Sequence, residues 1–313
     1  MKYLTSIIIL FCFSIPVVLS QDVTLLEKAR NTYKEKNYES ALAMYKELTK
    51  KNDLRIPATL GMSACNLRTE EFNTAFTNLE SVYIDLEIYY YVMSLKYNKD
   101  VYVNYLFDII SAMEDIIFES TCPDDSCLKN LYFHYGHIQA LLGLNKNAIT
   151  KMDIAIVKGM KTDRAYSILG YSKMRKKDFT GAESDLKQAI KLNEKFPGAW
   201  YILGVLNTEH LNNPKEGLLC FEKALALLPD GEKDLRCVYL YGTARAYYLD
   251  KDFVKASEAI IKMVNLDQEY RSIGYPYGLA LIDDKKTDEA CEYFRFLQSK
   301  GEDCSKVIKK YCN

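Results

Sequence analysis

Small residues recur along this chain at a near-constant interval, and that recurrence limits what it can fold into more than any other feature. Ala41, Ala75, Ala148, Ala182, Gly217, Ala256 and Ala290 stand 34, 73, 34, 35, 39 and 34 positions apart. A unit of about 34 residues cannot bury its own apolar face, so neighbouring units must stack. The 73-residue interval leaves room for one more, degenerate unit, and length divided by period gives about eight units in all. Large apolar residues surround each small one at helical spacing, which predicts pairs of helices meeting where the small residue admits a close approach.

The fifth unit reads Leu169, Gly170, Asp178, Phe179, Ala182, Leu186 and Ala189, and the sixth Trp200, Leu203, Gly204, Phe221, Ala224 and Pro229. These residues resemble the tetratricopeptide repeat. The first unit (Ala29, Tyr38, Ala41, Tyr45, Leu48), the fourth (Gly136, Gly143, Ala148, Met152, Ala155) and the seventh (Ala244, Phe253, Ala256, Ile260) match well. The second, with Ser63, Phe72, Ala75 and Leu79, matches less closely. The resemblance implies an all-α, right-handed α-solenoid of about eight helix hairpins over residues 21–313. Its third unit, about 86–118, lacks both small positions and is expected to pack atypically. The extra residues around the sixth and seventh units are expected in turns. Residues 119–130 read as an inserted loop. Residues 302–312, with Lys306, Lys309 and Lys310, read as the polar capping helix such arrays need, an ending similar to that of exported bacterial members.

Lys2, the apolar run Ile7–Leu19, and Val18 with Ser20 before Gln21 predict a signal peptide over residues 1–20. The expected product is exported, periplasmic or extracellular, with no later membrane-spanning segment. A net charge of −1 argues against a nucleic-acid partner. Of nine cysteines only Cys12 lies in the expected leader, which leaves an even number for an oxidising compartment.

Cys122 and Cys127 bracket a polar turn, Pro123 to Ser126, and are expected to form a disulfide; a zinc site would need more ligands than these two supply. Cys291 and Cys312 lie symmetrically about the turn near Gly301, a placement that permits a second disulfide, the alternative being a buried apolar role for Cys291. His134 and His137 stand three apart on a helix without the acidic partner of a zinc-protease motif. Phosphate-loop and serine-elbow glycines are missing too, so no metal, cofactor or catalytic residue is expected.

Counting back from the small positions, the first helix of each later unit aims Arg164, Tyr171, Arg175, Tyr201, Tyr241, Arg245, Tyr248 and Tyr275 into the concave groove. Tyrosine and arginine dominate binding hot spots, although some of 25 tyrosines must serve as core filler. The lysine and asparagine set with which some family members clamp a peptide carboxylate is not found at these positions. The resemblance implies a non-catalytic scaffold or adaptor of the cell envelope that binds a protein or peptide in its groove; the alternative is a glycan-binding or other small-ligand-binding envelope protein.

Overall fold

The computed structural model describes residues 21–51, 54–92, 99–267, 277–279, 281–282, 285–299, 301 and 303–312. The described residues up to Asn78 form one compact unit and those from Leu79 onward a second. Tyr275 and the leader expected at residues 1–20 lie outside the described residues.

The first unit holds α1 (Gln21–Lys34), α2 (Tyr38–Leu48), α3 (Arg55–Arg68) and the start of α4 (Phe72–Val92). Ala41, Tyr45, Leu48, Ala58, Leu60 and Ala64 form its buried interior. The sequence from Leu79 to Val92 contains no glycine, proline or capping asparagine, so nothing ends the helix. Accordingly α4 runs straight through Leu86, where the third unit was expected to open.

The second unit continues with α5 (Lys99–Glu119), α6 (Asp125–Leu141), α7 (Asn145–Val157), α8 (Asp163–Arg175) and α9 (Phe179–Leu192). It goes on through α10 (Pro197–Val205), α11 (Pro214–Leu227), α12 (Lys233–Leu249), α13 (Phe253–Leu266), α14 (Thr287–Ser299) and α15 (Ser305–Tyr311). The hairpins α6/α7, α8/α9, α10/α11 and α12/α13 stack in series, and their first helices also touch one another in the order α6, α8, α10, α12. Leu186, Phe221 and Ala224 fill one stretch of core, and Ile260, Met263, Phe294 and Leu297 the next.

The turn inside each hairpin carries one residue of positive φ: Lys36, Glu70, Gly143, Lys177, Asn212, Lys251 and Lys285, at 53° to 75°. Each stands five positions before one of the recurring small residues. Only one is glycine, so the left-handed conformation is held by the hydrogen bonds around it. Asp178 N–H, for example, reaches back to Lys173 C=O at 3.0 Å. Asn37, Asp178, Asn213 and Asp252 then cap the second helix by accepting from the backbone N–H three residues on.

The extra residues around units six and seven lie mostly in helices rather than in turns. In the 35-residue interval the additional residue lies inside the helix: Leu206–His210 continue α10 as a single π turn, with Leu211 N–H donating to Leu206 C=O at 3.0 Å. The closing bond of that hairpin consequently spans six residues, Asn213 to Asn207, where Asp178 to Lys173 spans five. In the 39-residue interval most of the excess lengthens a helix, since α12 has 17 residues against 13 in α8. The π turn pushes Thr208 toward α11, where a Cβ at Gly217 would collide with Thr208 Oγ1 and stand 3.0 Å from Gly204 C=O. Glycine replaces alanine there because the bulge has taken the methyl group's space.

At the C-terminal end α15 buries Val307 and leaves Lys306, Lys309 and Lys310 exposed. A Cys291–Cys312 disulfide ties it to α14 (S–S 2.02 Å), beside a 3.4 Å hydrogen bond donated by Arg295 Nη2 to Cys312 C=O. Cys122 and Cys127 are bonded at 2.04 Å, directly before and within the first turn of α6.

Candidate functional site: a pocket on the first-helix face

Because α6, α8, α10 and α12 touch side by side, one stripe of each borders a common surface of the second unit. A cavity of ≈ 70 Å³ opens there. On α8 the stripe Arg164, Ser167, Ile168 and Tyr171 follows i, i+3, i+4, i+7 spacing and forms one wall. Tyr201 and Ile202 of α10 face it, His137 and Leu141 of α6 close one side, and Val238 and Tyr239 of α12 the other. No aspartate or glutamate lines the cavity.

The aromatic wall is buried and stacked. Tyr201 is 8 % exposed and stacks on Tyr239 with ring centroids 4.6 Å apart and planes 13° from parallel. Burial, and then the charges that Tyr241, Tyr171 and Glu209 carry when ionised, holds its hydroxyl well above the usual tyrosine range, so it stays protonated. Tyr171 is raised too, chiefly by burial, with Arg175 opposing. On α6 both histidines are buried. His134 is pushed down to about 3 by burial first, then by His137 and Arg164, so it is neutral at physiological pH. Its Nε2 stands 4.0 Å from Glu80 Oε1.

Arg164 is half-buried, and among the described residues its guanidinium makes no ion pair or hydrogen bond. Ser167, 3 % exposed, likewise makes no side-chain hydrogen bond. Arg245 contrasts with Arg164. Its Nε and Nη2 grip the Glu209 carboxylate, the second contact at 2.8 Å, and this hydrogen bonding raises the guanidinium pKa. Arg245 is therefore already paired within the chain, because the π turn delivers Glu209 to it.

Arg164, Tyr171 and Tyr201 thus line the cavity, while Tyr241, 40 % exposed, and the Arg245–Glu209 pair extend the same face along α12. Arg175 is exposed outside the cavity. Tyr248 sits elsewhere, in an aromatic cluster with Phe253 and Tyr277 at 5.5 and 5.9 Å. Counting only polar-tipped residues missed His137, Ser167, Ile168 and Tyr239. The α8 stripe was available as a signal, whereas Glu209 had none, since its direction depends on the bulge.

Among the described residues no three His, Cys, Asp or Glu side chains converge as metal ligands would, and no helix is long and apolar enough to cross a membrane. Cys65, Cys220, Cys237 and Cys304 are buried free thiols, with Cys65 and Cys220 pushed up to about 12, mainly by burial.

Stacked hairpins whose first helices share one face define a helical-repeat solenoid. Residues 163–196 match the family model for the tetratricopeptide repeat. The fold is that of a tetratricopeptide-repeat solenoid, and one of its repeats matches the family model itself. No curated protein sequence matches it. Its fold is similar to the crystal structure of the anaphase-promoting complex (APC/C) hetero-tetramer Cut9–Hcn1, at TM-score 0.51 and 16 % identity over 94 % of this chain and 56 % of that one. A tetratricopeptide repeat protein from Parabacteroides merdae aligns over 93 % of this chain and 98 % of its own at 16 % identity and TM-score 0.46. MamA aligns over 55 % and 94 % at 18 % identity and TM-score 0.44.

Proposed function

We propose that this protein is a non-catalytic interaction scaffold of the cell envelope that holds a protein partner on the face built by α6, α8, α10 and α12. The observation that carries the reading is the aromatic cavity on that face, lined by an arginine that makes no ion pair among the described residues. Export is supported by the leader pattern of residues 1–20 and by the two cystine bridges, which belong in an oxidising compartment. A cavity of ≈ 70 Å³ is far smaller than the several hundred Å³ typical of small-ligand sites, which disfavours the glycan reading.

The test is a crosslinked pull-down from envelope extract comparing wild type with the double variant Tyr241→Ala, Arg245→Ala. Tyr241 is exposed and the Arg245 pair half-exposed, so each change is expected to cost stability no more than about 0.5–1 kcal/mol. Wild type retains a defined set of proteins and the variant loses it. An unchanged set, from a variant that melts like wild type, places the partner elsewhere.

A further inference from the structure

The pocket says more about the partner than that it is a protein. Its walls are aromatic and aliphatic, Tyr171, Tyr201, Tyr239, Ile168 and Ile202, so whatever enters must itself be apolar to gain from leaving water. Its volume of ≈ 70 Å³ accommodates roughly five to seven water-sized groups, the size of one ring-bearing side chain. Tyrosine faces and edges favour an aromatic guest, since offset and edge-on ring pairs add to simple burial.

Two polar groups in the same wall await partners. Arg164 projects its charge where no carboxylate among the described residues answers it, and Ser167, 3 % exposed, makes no side-chain hydrogen bond among the described residues. A half-buried guanidinium matches a carboxylate in charge and in bidentate geometry. Arg245 shows the satisfied version of the arrangement one helix away, in its grip on Glu209.

We infer that the cavity anchors a peptide segment through an aromatic side chain whose sequence-adjacent carboxylate pairs with Arg164. This rests on the scaffold reading above and specifies the chemistry of its partner. Ser167 donates to or accepts from the same segment, and the stacked Tyr201–Tyr239 pair forms the floor against which the ring packs.

Fluorescence anisotropy with dye-labelled, end-capped pentapeptides tests it on the whole exported chain. The probes are Gly-Glu-Phe-Glu-Gly, Gly-Gln-Phe-Gln-Gly and Gly-Glu-Ala-Glu-Gly. The first is expected to bind at least tenfold more tightly than either of the others. With Arg164→Gln the preference for glutamate over glutamine disappears, whereas Arg175→Gln, which changes an exposed arginine outside the cavity, leaves it intact. Equal affinity of wild type for the glutamate and glutamine peptides overturns the inference, and that comparison requires no variant to fold. So does failure of all three peptides to bind at millimolar concentration, or a preference that survives Arg164→Gln. Competition by free phenylacetate as effective as by the unlabelled glutamate peptide also overturns it, pointing to a small-molecule site. If the peptides fail while the Tyr241, Arg245 variant still loses its retained proteins, the scaffold reading stands and only the anchor chemistry falls.

Discussion

His134 illustrates how far a residue's surroundings outrun its identity. The sequence shows it only as one of two histidines three apart on a helix, yet in the fold it is 1 % exposed and held neutral. Its folded pKa of about 3 lies below its ordinary value of 6.5. The unfolded chain therefore binds the proton more readily, and stability falls as pH drops from about 6.5 toward 3. The expected slope from this one group is up to about 1.4 kcal/mol per pH unit across that window. Urea denaturation at pH 7, 6 and 5 checks it: His134→Gln should show a shallower loss than wild type. An identical slope in the variant removes His134 as the cause. Sequence could place this residue on a helix beside Tyr135 and His137, but not count the neighbours that close over it.

At the scale of the element, the π turn at Leu206–His210 and the glycine at position 217 form a matched pair. Gly217→Ala drives a methyl group into Thr208 and should destabilise the protein by about 1–3 kcal/mol, the usual cost of overpacking. Deleting Thr208 returns the interval to 34 residues and removes the obstruction. In that background Gly217→Ala should be neutral or should stabilise by about 0.5–1 kcal/mol, the ordinary gain of alanine over glycine within a helix. Thermal denaturation of the four-member cycle reads the change of sign; a loss of equal size in both backgrounds refutes the coupling. The same deletion turns Glu209 away from Arg245, since one residue is about 100° of helix. The 35-residue interval was visible in the sequence, and glycine in place of alanine was visible beside it. That the two have one cause was not, because an extra residue can be absorbed in a turn or in a helix and the interval is the same.

For the whole molecule, the cystine bridges and the leader proposed for residues 1–20 make a joint prediction. Protein recovered from the exported fraction should begin at Gln21, and non-reducing peptide mapping should link Cys122 to Cys127 and Cys291 to Cys312. Free, alkylatable thiols at these four positions, or full-length chain in the cytosol, contradict it. Opening the Cys291–Cys312 ring should cost about 3 kcal/mol on the chain-entropy model and loosen α15 first, since that bridge joins it to α14. The sequence by itself determined the repeat. The small residues, the intervals between them and the helix caps are local or periodic, and each is written where it acts. The tertiary structure alone decided which groups meet on the face built by the first helices. Arg164, Tyr201 and Tyr239 come from three helices about one repeat apart, and periodicity says only that each faces a neighbour, not what stands opposite. Tyr201 became wall and Tyr248 joined a different cluster although the same counting chose both. Among the described residues Arg164 meets no carboxylate while Arg245 gained one, because a single added residue re-aimed Glu209.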